Sequence, residues 1–394
     1  MSGLTRKQLL AGAAAAGVVA GCGGSSSKPA AYDPGDWASV KAQFRLSGDV
    51  RAFDAFVFAT HPKPVRDAIE RHRRGLDADP AGYLHENEIA LDQRVLDAAA
   101  RYLDVPPDSF AFTDSTTMGL GLVYGGIEID GEPVATEHDF YSTHESLRLR
   151  FGKFRQIRLY DDPARATVAA MVEAARSIDA GMLALTWVHS GTGVKIPVQA
   201  IAEAVRPALV VLDGVHGLAA DDLRIDSVDV LVAGTHKWLG GPRGTGLVWS
   251  RAWDRLRPII PPFHPGSPAA SWNPGGYHTF EHRWALAEAF DFHHRLGRAR
   301  VAERIRSLAT RLKEGLADLP DVRLVTPMSP SVSGGIVCFE VDGLDPPTAV
   351  DRLRREHKVA ASVTPYAQPY VRLGTGLWVD EADVDAALDA ISRL

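Results

Sequence analysis

Ala233-Gly234-Thr235-His236-Lys237-Trp238-Leu239-Gly240-Gly241-Pro242-Arg243-Gly244-Thr245-Gly246 decides how the rest of the chain is read. The apolar run Asp229–Ala233 before the lysine has strand character, so Lys237 follows a strand and precedes a glycine-rich turn. Glycines allow the sharp backbone and close approach that a bound ligand demands. An isolated lysine is usually a solvated surface residue, but Lys237 stands among residues that do not favour exposure.

Upstream, Val210-Val211-Leu212-Asp213-Gly214-Val215-His216 is an apolar strand ending in aspartate. A carboxylate at the C-terminal end of a parallel strand faces the crevice where α/β proteins hold ligands. Capping of a following helix is the alternative, and the residues alone leave both open. Further upstream, Asp114-Ser115-Thr116-Thr117-Met118-Gly119 precedes an expected helix. Hydroxyls and backbone N–H groups at a helix start suit a phosphate dianion, and ordinary N-capping is compatible with that use.

Around these segments, strand and helix patterns alternate from Pro64 to about Leu296. Val65–Leu76, Glu88–Leu103, Ala164–Ile178 and Val198–Val205 have helical apolar spacing. Val134–Thr136, Met182–Trp187, Ala208–Leu212 and Asp229–Ala233 are short strand-like runs. The alternation predicts an α/β domain over 65–290, with a mostly parallel sheet between helices. The rhythm then changes. A long helical stretch from about Arg283 to Leu319, broken near Gly297, leads into strands at Val322–Val325, Gly335–Val341, Val359–Val363 and Tyr370–Leu373. Helices are expected at Pro347–Glu356 and Glu381–Leu394, giving a smaller α+β domain over 291–394. Residues 37–64 are expected to pack with it.

Taken together, Asp213 and the His236-Lys237 segment resemble the class V aminotransferase-like family of pyridoxal-5′-phosphate (PLP) enzymes, of fold type I. That family includes cysteine desulfurases, isopenicillin-N-epimerase-like proteins and carbon–sulfur lyases. The resemblance extends over most of the chain and implies a seven-stranded sheet, PLP as cofactor, Lys237 as its Schiff-base lysine and Asp213 as partner of the pyridinium nitrogen. It further implies that Thr117, with Thr116 beside it, holds the cofactor phosphate. His138, in Thr136-Glu137-His138-Asp139, would stack on the ring, with Val215 on the opposite face. His216 and Ser190 would address the phenolic oxygen, Ser190 standing where the family often has asparagine. His236 would contact the phosphate, assisted by Thr235. Thr279, in Gly275-Gly276-Tyr277-His278-Thr279-Phe280, falls where the family has Gly-Thr and where the threonine reaches the neighbouring subunit's phosphate; here His278 replaces the glycine. A homodimer with shared sites is implied. Arg372, in Tyr370-Val371-Arg372-Leu373-Gly374, would grip a substrate α-carboxylate bidentately, a surface ion pair being the alternative.

The resemblance implies chemistry at the α-carbon of a small-molecule amino acid or related amine, with lyase or epimerase chemistry first and aminotransfer second. Phe280-Glu281-His282-Arg283-Trp284 and Trp187-Val188-His189-Ser190-Gly191-Thr192-Gly193 look closer to isopenicillin-N-epimerase-like and lyase members than to desulfurases. Desulfurases carry sulfur on a mobile-loop cysteine, whereas the two cysteines here are Cys22, in an N-terminal signal, and Cys338, in the strand-like Gly335-Ile336-Val337-Cys338-Phe339. A persulfide route is therefore not expected. The competing class is a non-catalytic, exported PLP-fold binding protein, against which the set Lys237, Asp213, His138 and Thr117 speaks.

The formal charge of −6 argues against a general nucleic-acid or anionic-membrane binder, and no metal site is expected. At the N-terminus, Arg6 and Lys7 precede the apolar run Leu9–Ala20, too short to span a bilayer. Residues 1–21 read as a signal peptide. Val19-Ala20-Gly21-Cys22 resembles a bacterial lipobox, which makes Cys22 the lipidation site and 22–36 a lipidated tether. A cleaved signal with an incidental cysteine is the alternative. Thr5-Arg6-Lys7-Gln8-Leu9-Leu10 also resembles a twin-arginine export signal, with Lys7 in place of the second arginine. The expected location is the cell envelope, on the outer face of the bacterial membrane, held by the lipid alone.

Overall fold

Seven strands form the central sheet of the computed structural model, in the spatial order Phe110–Thr113, Gly246–Ser250, Val230–Gly234, Leu209–Asp213, Met182–Thr186, Pro133–Thr136, Arg155–Ile157. The structure describes residues 32–263 and 266–394. The expected signal peptide, Cys22 and most of the expected tether lie outside the described residues.

The five strands from Val230–Gly234 to Arg155–Ile157 run parallel. Gly246–Ser250 runs antiparallel to both of its neighbours, so the sheet is mixed but mostly parallel. Sheets of this kind are covered on both faces, which is why Met182–Thr186, Val230–Gly234 and Gly246–Ser250 are buried along their whole length. Leu120, Val123 and Tyr124 of the helix Thr116–Gly126 pack against Val211, Val232 and Val248 in the core.

The register places the strand ends in line. Thr186 pairs with Asp213, and Asp213 with Val232. The loops that follow these strands therefore open on one crevice at the C-terminal edge of the sheet, where α/β folds bind ligands.

The C-terminal region builds a second, antiparallel sheet in the order Ser362–Val363, Val371–Gly374, Ile336–Val341, Val322–Leu324. Helices Arg298–Ala317, Pro346–Arg355 and Glu381–Ile391 accompany it. The long helical stretch ahead of it breaks at Gly297, whose φ of +83° is open to glycine at little steric cost. The expected strand Val359–Val363 is two pieces: Val359–Ala360 pairs with Arg51–Ala52, and Ser362–Val363 pairs with Val371–Gly374.

The N-terminal segment ties the two sheets together. The Gly374 N–H donates to Phe53 O at 2.7 Å, and the Trp378 indole donates to Ala52 O at 2.9 Å. Farther along, the Ala59 N–H donates to His236 O at 2.8 Å, and His61 Nδ1 lies 3.0 Å from Gly240 O. This path lays Phe56-Val57-Phe58 across the mouth of the crevice.

Candidate active site

The loop after Val230–Gly234 is held before it can present anything. The Gly234 N–H donates to Thr116 Oγ1 at 2.9 Å, tying the strand end to the start of the helix Thr116–Gly126. Thr235 is fully buried; its hydroxyl shares a 2.6 Å hydrogen bond with that of Thr245 across the loop. Gly240 turns the chain with φ +64°, and a Cβ there would meet Pro62 Cδ at 3.0 Å. Trp238 is buried and donates to Thr375 O at 2.8 Å. Between these anchors, Lys237 reaches into a cleft of about 310 Å³.

Burial pushes the Lys237 ammonium down to about 8, although Asp213 pulls it upward; Arg372 adds to the lowering. Burial likewise pushes the Asp213 carboxyl up to about 6, against a hydrogen bond from the Val215 N–H to Oδ1 at 3.0 Å and the attraction of Lys237. His216 Nε2 lies 3.1 Å from Lys237 Nζ, and burial holds its imidazole well below the usual range. A neutral imidazole that accepts from Lys237 through Nε2 carries its proton on Nδ1. That Nδ1 is buried and has no hydrogen-bond partner among the described residues. His236 also lines the cleft, its imidazole pushed down to about 4 by burial, with Lys237 and Arg243 adding to the effect.

Opposite the lysine loop, the first turn of the helix Thr116–Gly126 supplies Ser115, Thr116 and Thr117 to the wall. Ser115 Oγ caps this helix by accepting from the Met118 N–H at 3.1 Å. The positive end of the helix dipole and nearby hydroxyls make this end of the cleft suited to an anion.

Arg372 enters from the second sheet and is buried, so the expected alternative of a surface ion pair does not describe it. Its Nη1 donates to Ser190 O at 2.9 Å, its Nε and Nη2 donate to Ser362 Oγ, and its guanidinium lies 4.0 Å from the centroid of the Phe56 ring. Among the described residues it has no carboxylate partner within 4 Å. A buried guanidinium held by neutral groups retains its charge for an incoming carboxylate.

Not every expected residue reaches this cleft. His138 is absent from its wall: the ring stacks on Tyr160 at 4.2 Å and 24°, and lies 5.4 Å from the ring of His189. Asp139 Oδ2 accepts from the Thr136 N–H at 2.7 Å, closing the turn that carries both His138 and Phe140, and Phe140 lines the cleft. Thr235 serves the loop rather than the cleft. Ser190 lines the cleft, but its hydroxyl is paired with Tyr366 Oη at 2.7 Å. Thr279 precedes the helix Phe280–Leu296 and lines a separate small pocket of about 60 Å³ with Asp114, Met118 and His278. Sequence reasoning missed Phe140, Ser142, Thr186 and Phe56–Phe58, all on the cleft wall. Of these, Thr186 carried a local signal, its place at the end of the strand-like run Met182–Trp187.

A profile of the family described as Aminotransferase class-V matches residues 62–370. The chain is 27% identical to the isopenicillin N epimerase of Streptomyces clavuligerus, over 91% of this chain and 98% of that protein. It is 23% identical to the probable cysteine desulfurase of Streptomyces coelicolor, over 84% and 89%. Among solved structures, a C-DES mutant with glycine covalently linked to its PLP cofactor gives a TM-score of 0.81 at 19% identity, covering 90% of this chain and 99% of that one; this likeness concerns the fold. The chain belongs to the class-V aminotransferase family. It is a PLP-dependent enzyme of that family, as the crevice, the deep lysine and the strand-end aspartate had suggested.

The residues present fit that cofactor on their own geometry. The unpartnered Nδ1 of His216 calls for an acceptor in the cleft. Asp213, a buried carboxylate on the cleft wall, would pair with a protonated ring nitrogen, and the Ser115–Thr117 helix start would take a phosphate.

Proposed function

We propose that this enzyme acts at the α-carbon of a small amino acid as a lyase or epimerase, with Lys237 as the general base. The arrangement that carries the reading is a single cleft holding Lys237, His216, Asp213 and Arg372, with the Lys237 ammonium pushed down to about 8. Bound PLP supplies an electron sink for the pair released at the α-carbon.

Each residue then has a task. Arg372 binds the substrate carboxylate and orients the α-C–H bond. Lys237, neutral for a large fraction of the time at mildly alkaline pH, takes the α-proton and returns it. Asp213 would hold positive charge at the ring nitrogen, Thr116, Thr117 and His236 would hold the phosphate, and His216 would donate to an oxygen of the cofactor. His138, backed by Tyr160 at 4.2 Å, would stack on the ring.

Two observations favour lyase or epimerase chemistry over a persulfide relay. Cys338 is fully buried in Ile336–Val341, and burial pushes its thiol up to about 12, so it offers no thiolate to a substrate. Isopenicillin N epimerase is also among the relatives matched over nearly their full length.

The test is α-hydrogen exchange in heavy water with the PLP-loaded enzyme, read by mass spectrometry alongside the visible spectrum. Exchange and a protein-bound visible band, both lost in Lys237→Ala, are expected. Exchange that survives in Lys237→Ala would overturn the assignment.

The proposal extends to assembly and location. A homodimer would bring Thr279 to the partner's phosphate site; the exposed Met118 and Tyr277 near that pocket support a covered surface, and sedimentation would show a monomer if this is wrong. Lipid anchoring at Cys22 rests on Val19-Ala20-Gly21-Cys22; Cys22→Ser should release the protein from the membrane fraction, and unchanged partitioning would refute it.

A further inference from the structure

Arg372 and Lys237 account for two directions around a bound substrate's α-carbon. What remains of the cleft wall decides which side chain fits. The apolar part of that remainder is Phe56, Val57, Phe58, Phe140 and Pro365, beside the hydroxyls of Ser142 and Thr186. The ionisable residues on the described wall are Asp213, His216, His236, Lys237 and Arg372, each already used by the proposed reaction. The Ser190 hydroxyl is turned to Tyr366 at 2.7 Å.

Phe56 is buried, whereas Val57, Phe58 and Phe140 keep accessible surface. Phe58 is 54% exposed, Val57 42% and Phe140 38%. Their backbone is nonetheless pinned on both sides. The Val57 N–H donates to Asp54 O at 2.8 Å, and the Ala59 N–H to His236 O at 2.8 Å. Phe56 lies beneath the Arg372 guanidinium, and the Phe58 ring sits 5.3 Å from that of His236. A contiguous apolar surface on a fixed frame at the mouth of a polar site is the signature of a recognition surface.

We propose that the substrate is an amino acid with an apolar side chain, aliphatic or aromatic, which packs on Val57, Phe58 and Phe140. Burying such a side chain gains free energy with each methylene removed from water. A charged side chain in the same place would lose its hydration without a partner. The nearby exposed Arg243, its guanidinium 5.7 Å from the Phe58 ring centroid, is not on the cleft wall.

This inference rests on the proposed α-carbon chemistry, and one experiment separates the two. The PLP-loaded enzyme is assayed for Lys237-dependent α-hydrogen exchange with L-alanine, L-2-aminobutyrate, L-norvaline, L-norleucine, L-aspartate, L-glutamate and L-lysine. The expected result is a rise in kcat/KM of about fourfold for each added methylene in the straight-chain series. The acidic and basic amino acids should fall below norleucine, and Phe58→Asp should invert the order of norleucine and lysine. A flat series, or glutamate exchanging faster than norleucine, would overturn the apolar side chain while leaving the α-carbon chemistry intact. Absence of exchange with every amino acid would overturn the proposed reaction and this inference with it.

Discussion

Replacing Lys237 by methionine should stabilise the cofactor-free protein at neutral pH, although it removes the residue on which the chemistry depends. The reason is the burial of the ammonium. Lys237 falls from 10.5 to about 8 on folding. At about 1.4 kcal/mol for each pKa unit, that fall weighs against the folded state by about 3 kcal/mol near pH 7, where the lysine is protonated both folded and unfolded. The sign follows from proton counting. Between about 8 and 10.5 the unfolded chain binds more protons than the folded one, so wild-type stability rises with pH across that window. The penalty is complete below 8 and gone above 10.5. Methionine fills the volume of the lysine stem without a charge. Asp213 loses the attraction of the ammonium and takes back part of the gain, leaving about 2 kcal/mol, or roughly 3 °C in Tm for a chain of this length. Thermal denaturation of both cofactor-free proteins near pH 7 and near pH 10 tests this. The gap should shrink at the higher pH. A methionine variant no more stable than wild type at neutral pH, or a gap that ignores pH, would refute the account of a desolvated lysine.

Other perturbations separate the roles within the cleft. Asp213→Asn should slow α-hydrogen exchange by about 100-fold, because the charge opposite the electron sink is lost; a rate within experimental error of wild type would mean that a different carboxylate does this work. Arg372→Lys should raise KM by about tenfold or more while keeping the Lys237-dependent visible band, since a point charge replaces a planar fork, and steady-state kinetics would expose an unchanged KM. Cys338→Ala should leave turnover in place and cost about 1 kcal/mol of stability in urea denaturation, from the small cavity left in a buried strand; loss of turnover with the fold intact would restore a cysteine to the mechanism.

Several features were legible because they depend on neighbours in sequence. The strand-then-lysine-then-glycine run, the apolar strand ending in Asp213 and the helix after Ser115 are local patterns, and each occurs within a residue or two of where it was expected. Other features depend on partners far along the chain. Gly246–Ser250 is a short apolar segment whose antiparallel place between two strands is decided by pairing with Phe110–Thr113 and Val230–Gly234. Arg155–Ile157, three residues at the sheet edge that begin with Arg155 and are followed by Arg158, shows no apolar run at all.

The site divides along the same line. The candidate reactive groups were legible locally, because a lysine after a strand, an aspartate at a strand end and hydroxyls at a helix start are each specified by a few adjacent residues. The presence of Phe140 on the cleft wall was not legible locally: it depends on the turn that Asp139 Oδ2 closes by accepting from the Thr136 N–H. The same holds for the apolar mouth: Phe56-Val57-Phe58 lies far from Lys237 in sequence and reaches it because Arg51–Ala52 pairs with Val359–Ala360 and Ala59 bonds to His236. Those are long-range hydrogen bonds, and no window of sequence contains both of their ends.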